Sequence, residues 1–209
     1  MKSTLTLLLL LTSLFSFSQI TIPNGFSEVT KSPSNGKKME KIFMLFDNDS
    51  INDTAILAQD KSEFSSYKLL IFLSNKNKTY EINLISLNDF SIYPLQIKAR
   101  KNVIEFGYFE DGTAAFGRFI KLRYNSKKEQ IQVIGYDVEY KSSPTEYINK
   151  SYNLITGDYI VKRTYYEGSK KINTQKFSGK NDFFKNVVFI ENLNEEMIIN
   201  LDDVGCKYE

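Results

Sequence analysis

The 209-residue chain contains no histidine and a single cysteine, Cys206. Without histidine, a Ser-His-Asp or Cys-His arrangement is excluded, and so is the commonest general base and zinc ligand. One cysteine excludes an internal disulfide and any structural zinc or iron–sulfur site built on several thiolates. Glycine is sparse at ten residues, and Gly107, Gly112 and Gly117 are spaced by turns rather than as a phosphate-cradling loop. The formal net charge is only +2, so nothing in the balance calls for nucleic acid or an anionic membrane as partner. The lysine pairs Lys37-Lys38, Lys127-Lys128 and Lys170-Lys171 stand beside turn residues and read as solvated turns.

Apolar runs are short except at the start. Met1-Lys2 supplies a positive charge, residues 5–17 an apolar core, and Phe15-Ser16-Phe17-Ser18 a small-residue cleavage site before Gln19. This pattern predicts a secretory signal peptide over residues 1–18, with an uncleaved N-terminal anchor as the alternative. The expected location is therefore periplasmic or extracellular, with no membrane span after cleavage. An exported chain free of disulfides fits a bacterial source, and Cys206 is too far from the leader to be a lipoprotein cysteine.

Residues 19–40, with Pro23, Gly25, Pro33 and Gly36, read as a lead-in with at most one short edge strand. From residue 41 to 209 the texture is that of a single β-rich domain. Short runs of β-branched and aromatic residues, drawn from 13 tyrosines and 16 phenylalanines, are punctuated by Gly, Asn, Asp and Ser. The spacing predicts strands over 41–46, 54–59, 68–73, 80–85, 95–100, 103–109, 116–124, 130–140, 147–155, 159–166 and 172–177. Gly135 reads as a bend or bulge, and Thr156-Gly157-Asp158 as a hairpin turn. Residues 192–201 suit either a short helix or a strand. The fold class is mainly β: an antiparallel meander forming a sandwich or an open barrel-like sheet, with little helix.

The densest chemistry lies in Asp47-Asn48-Asp49-Ser50-Ile51-Asn52-Asp53, set between two apolar runs. Alternating acidic residues along a tight loop suit a hard, oxygen-seeking cation such as Ca²⁺; the same residues also make an Asx-rich hairpin turn without metal. Residues 46–56 resemble the calcium loop of the FG-GAP or VCBS repeat family. That resemblance implies side-chain ligands from Asp47, Asp49 and Asp53, a backbone-carbonyl ligand from Ile51, and Ca²⁺ as cofactor. Two positions depart from the pattern: Leu45 stands where the family opens with Asp, and Ser50 where it has glycine. The loop does not recur at a blade-length interval, so a full propeller is not supported. Over most of its length the chain is also similar to secreted bacterial proteins of unassigned function, through Val133-Ile134-Gly135-Tyr136-Asp137 and Tyr152-Asn153-Leu154-Ile155-Thr156-Gly157.

These features favour an exported, non-enzymatic binding module whose partner is an envelope polymer, a carbohydrate or a protein. Tyr108, Phe109, Phe116, Tyr136, Tyr140, Tyr165 and Tyr166 are candidates for a recognition face, or else for core and cross-strand pairs. A hydrolase using carboxylates alone, drawn from Glu105, Glu110, Asp111 and Glu139, and a structural envelope component associating through strand edges are the alternatives.

Overall fold

The computed structural model describes residues 20–32, 36–62, 67–83, 86–87, 90–91 and 96–208. The expected signal peptide, the strand end at 84–85 and the strand start at 95 lie outside the described residues. Two antiparallel sheets pack face to face, as the strand-rich composition predicts. The first contains β1 (Phe26–Glu28), β2 (Ile42–Met44), β3 (Asp53–Asp60), β4 (Tyr67–Leu73) and β5 (Lys78–Asn83). Strands β1 and β2 lie end to end along one edge of β3, β1 against residues 58–60 and β2 against residues 53–55. A small pair, β6 (Ser86–Leu87) with β7 (Phe90–Ser91), separates the two sheets in the chain.

The second sheet is an unbroken seven-stranded meander: β8 (Gln96–Arg100), β9 (Val103–Glu110), β10 (Phe116–Asn125), β11 (Gln130–Ser143), β12 (Glu146–Asn153), β13 (Asp158–Glu167) and β14 (Lys170–Lys180). Each strand pairs with its sequence neighbour, which short polar turns make inexpensive. Gly157 makes the β12–β13 turn at φ +81°, where a Cβ would also fall 2.8 Å from the Asn181 carbonyl oxygen. The bulge expected at Gly135 is present: the register slips between Lys121 and Leu122, so Val133 opposes Leu122 while Gly135 opposes Lys121. This slip sets which side chains face inward. Before it, Ile131 and Val133 are buried; after it, Tyr136 and Val138 are.

One core joins both sheets. Phe46, Leu57, Leu69, Ile71 and Leu73 meet Ile104, Phe106, Ile120, Leu122 and Val133, all nearly inaccessible. Each such side chain contributes about 1.5–3 kcal/mol of burial. The opposite face of the first sheet is covered by the lead-in, where Ile20, Ile22 and Phe26 pack on Ile56, Ala58 and Leu70. The C-terminal tail closes the far part of the core with Phe184, Val188, Ile198, Leu201 and Val204.

The undecided segment at 192–201 resolves as helix α1 (Glu195–Asp202). The Asn194 side chain caps it by accepting the Met197 N–H (2.9 Å), and Glu195 and Glu196 favour its first turn. Ile198 and Leu201, three residues apart, form its buried face. Among the described residues, no helix is long and apolar enough to cross a membrane.

Candidate functional site

The acidic loop joins β2 to β3, and its carboxylates mostly hold backbone. Asp47 Oδ1 accepts the Asp49 N–H (3.2 Å), and Asp49 Oδ1 accepts the Ile51 N–H (2.7 Å), giving two successive Asx turns. Asp53 turns inward and is buried. Its Oδ2 accepts from the N–H groups of Phe46 (2.9 Å) and Asp47 (3.3 Å), and its Oδ1 from that of Ser74 (2.9 Å). Burial pushes the Asp53 carboxyl above its ordinary value, the three N–H donors work the other way, and the Asp47 charge adds to the rise. Ile51 is exposed. Among the described residues, no group of three or more His, Cys, Asp or Glu side chains is arranged to hold a metal. Asp49 Oδ2 is buried and has no hydrogen-bond partner.

A second polar cluster lies on the inner face of the large sheet. Arg118 of β10 forms an ion pair with Asp202 at the end of α1, its Nε donating to Oδ1 at 3.2 Å and its second nitrogen to Oδ2. The Tyr136 hydroxyl donates to Asp202 Oδ1 (2.7 Å), and Lys150 Nζ donates to the Asp202 backbone carbonyl. Burial opposes the Arg118 charge, yet the Asp202 carboxylate together with Tyr136 and Tyr108 more than offsets it and holds the guanidinium protonated. Burial, with Asp202 alongside, pushes the Tyr136 phenol well above its ordinary value. The cluster docks the tail on the sheet.

The outer face of the same sheet carries a different array. Phe119 lies beside Gly107 and Phe109 over Gly117, each ring opposite a glycine in register. An alanine at residue 107 would place its Cβ against the Arg118 carbonyl and 2.7 Å from the Phe119 Cα, so strands β9 and β10 would have to part. Tyr147 tilts against Phe109, with ring centroids 6.4 Å apart. Polar groups fill the next positions. Ser151 Oγ donates to Asp137 Oδ1 (2.6 Å), Asn149 donates to Glu139 Oε2 (3.2 Å), and Lys121 bridges Asp137 and Glu105, 3.9 Å from the latter. Burial, then the Glu139 charge, pushes the Tyr147 phenol up.

The proposed aromatic face divides accordingly. Tyr108 and Tyr136 are core residues, and Phe116 and Tyr140 pack against the core. Tyr165 sits in the inner row, under the Arg163 guanidinium. Of the named rings, Phe109 reaches the outer array, where it is joined by Phe119 and Tyr147, which strand alternation alone could have found; Tyr166, past a register shift in β13, lies close enough to Tyr147 to act on its phenol. Among the carboxylates, Glu105 and Glu139 belong to that array and do not form a cleft pair. A cleft of about 610 Å³ between β5 and the start of α1 is lined by Glu81, Glu191 and Glu195, with Glu81 paired to Lys68 at 2.8 Å. Comparison with protein-family models, with curated proteins and with solved structures finds no match.

Proposed function

We propose that the chain is an exported, non-catalytic binding module whose working surface is the outer face of β9–β12. The observation that supports this is the Phe109–Phe119–Tyr147 array. It holds two half-buried rings, Phe109 and Phe119, against glycines, tilts the half-buried Tyr147 onto Phe109, and flanks them with bonded carboxylate, amide and hydroxyl groups. Rigid rings with fixed polar neighbours bind sugar faces or protein side chains at low entropic cost. The test is co-sedimentation with an insoluble envelope fraction of the source cells. F109A/Y147A is expected to bind about tenfold more weakly than the parent chain while keeping its Tm. Equal binding would contradict the reading. Release of soluble fragments would favour the carboxylate-hydrolase alternative.

A second reading keeps the acidic loop as a Ca²⁺ site, favoured by the partnerless Asp49 Oδ2. At a hundredfold excess over Kd, Ca²⁺ is then expected to stabilise the parent chain by about 2–3 kcal/mol and to leave D49A unchanged. Identical melting of the parent chain with and without Ca²⁺ would end it.

A further inference from the structure

The row of the outer face that begins at Phe109 and Gly117 runs on through Glu139 and Asn149 to Lys162 of β13 and Lys176 of β14. Lys162 and Lys176 are direct cross-strand partners, and both are exposed. Like charges directly opposite one another destabilise a sheet. Among the described residues neither has a carboxylate within ion-pair distance, and the same holds for Lys170 and Lys171 at the hairpin end. Lysines on β14 serve a known purpose, because β14 is the sheet's edge and charge there discourages pairing with another chain. Lys162 guards no edge: β13 is paired on both sides, to β12 and to β14. Its placement opposite Lys176 therefore costs stability without protecting anything. Around the two lysines on this face lie Thr164 and Thr174, with hydroxyls 3.2 Å apart, Ser178 opposite Ile160 in the next row, and Asn149 then Glu139 along the row toward the rings.

We propose that Lys162 and Lys176 bind the acid groups of an anionic glycan whose sugar rings lie on Phe109, Phe119 and Tyr147. The inference rests on the binding face described above and names its ligand class. Adjacent strands are about 4.8 Å apart, so β9 to β14 spans roughly 24 Å, the length of several sugar units lying across the strands. An extended polymer fits this line of contacts better than a flat lipid surface, since the cations sit at one end and the rings at the other.

The test is titration of the intact protein at low salt with polygalacturonate, heparin, neutral dextran and phosphatidylglycerol vesicles. Polygalacturonate carries carboxylates and heparin mainly sulfates, so the two polymers separate those sources of negative charge. The parent chain is expected to bind one or both polyanions and not dextran. K162Q/K176Q is expected to weaken that binding about tenfold and flatten its salt dependence, while K31Q/K127Q, which removes equal charge elsewhere, changes it less than about twofold. Equal weakening by both double variants, binding to vesicles alone, or equal affinity for dextran would overturn the proposal. If the parent chain sediments with envelope but ignores both polyanions, this inference falls and the binding face stands. If it binds neither envelope nor any polymer, both fall.

Discussion

Replacing Asp202 by alanine is expected to lower the unfolding free energy by about 3–5 kcal/mol, because it removes one half of a buried ion pair. The Arg118 guanidinium is only 4% exposed and loses its carboxylate, and the Tyr136 hydroxyl loses its acceptor. Arg118 and Tyr136 are both nearly inaccessible, while the Asp202 side chain is 22% exposed. The eight-residue helix α1 is too short to persist alone, so weakening its anchor also threatens the burial of Ile198 and Leu201. Urea titration followed by circular dichroism measures the loss. The companion R118M/D202L separates charge from packing: with both charges replaced by apolar groups, most of the loss is expected to return. A D202A chain within about 1 kcal/mol of the parent would show that the pair does not hold the tail.

The second large effect is expected at Asp53. Alanine there leaves the N–H groups of Phe46, Asp47 and Ser74 without their acceptor, at about 1–3 kcal/mol for each one that stays buried. A total near 3 kcal/mol is expected for D53A, and about half that for D53N, which keeps one oxygen. The reason is topological. Asp53 ties the β2–β3 loop to Ser74, at the turn between β4 and β5, and Ser74 Oγ returns a bond to the Asn52 carbonyl (2.7 Å). The pH dependence has a definite sign. The folded carboxyl is raised above its ordinary 3.8, chiefly by burial, so the folded state holds this proton more tightly than the unfolded chain does. Its contribution is fullest in acid and declines as pH rises from 3.8 through the raised value, so the advantage over D53N narrows over that window. Equal stability of D53A and D53N would show that the capping bonds carry little weight.

The strand pattern was legible because hairpin chemistry is local. Asn125 to Lys128, Thr156 to Asp158 and Gly135 announce their turns and bulge through residues only a few positions apart. The helix at the tail was not decided by the sequence, because a ten-residue window cannot weigh a cap at Asn194 against β-branched Ile198 and Ile199. Which aromatic faces which side was hidden by the bulge. It shifts the inward parity by one residue, so a count from Ile131 puts Tyr136 on the wrong face. The Arg118–Asp202 pair spans 84 positions and left no sequence signal. The acidic loop was visible for its composition. What the sequence did not reveal is that Asp53 faces the backbone, because that depends on Ser74 arriving from another hairpin.

The most direct measurement is the binding isotherm of the intact chain on insoluble envelope, set beside those of F109A/Y147A and K162Q/K176Q, each first shown to melt as the parent does. A working outer face predicts saturable binding by the parent, weakened in F109A/Y147A, and an anionic glycan ligand predicts the same weakening in K162Q/K176Q. Three superimposable isotherms, or none that saturates, would contradict it.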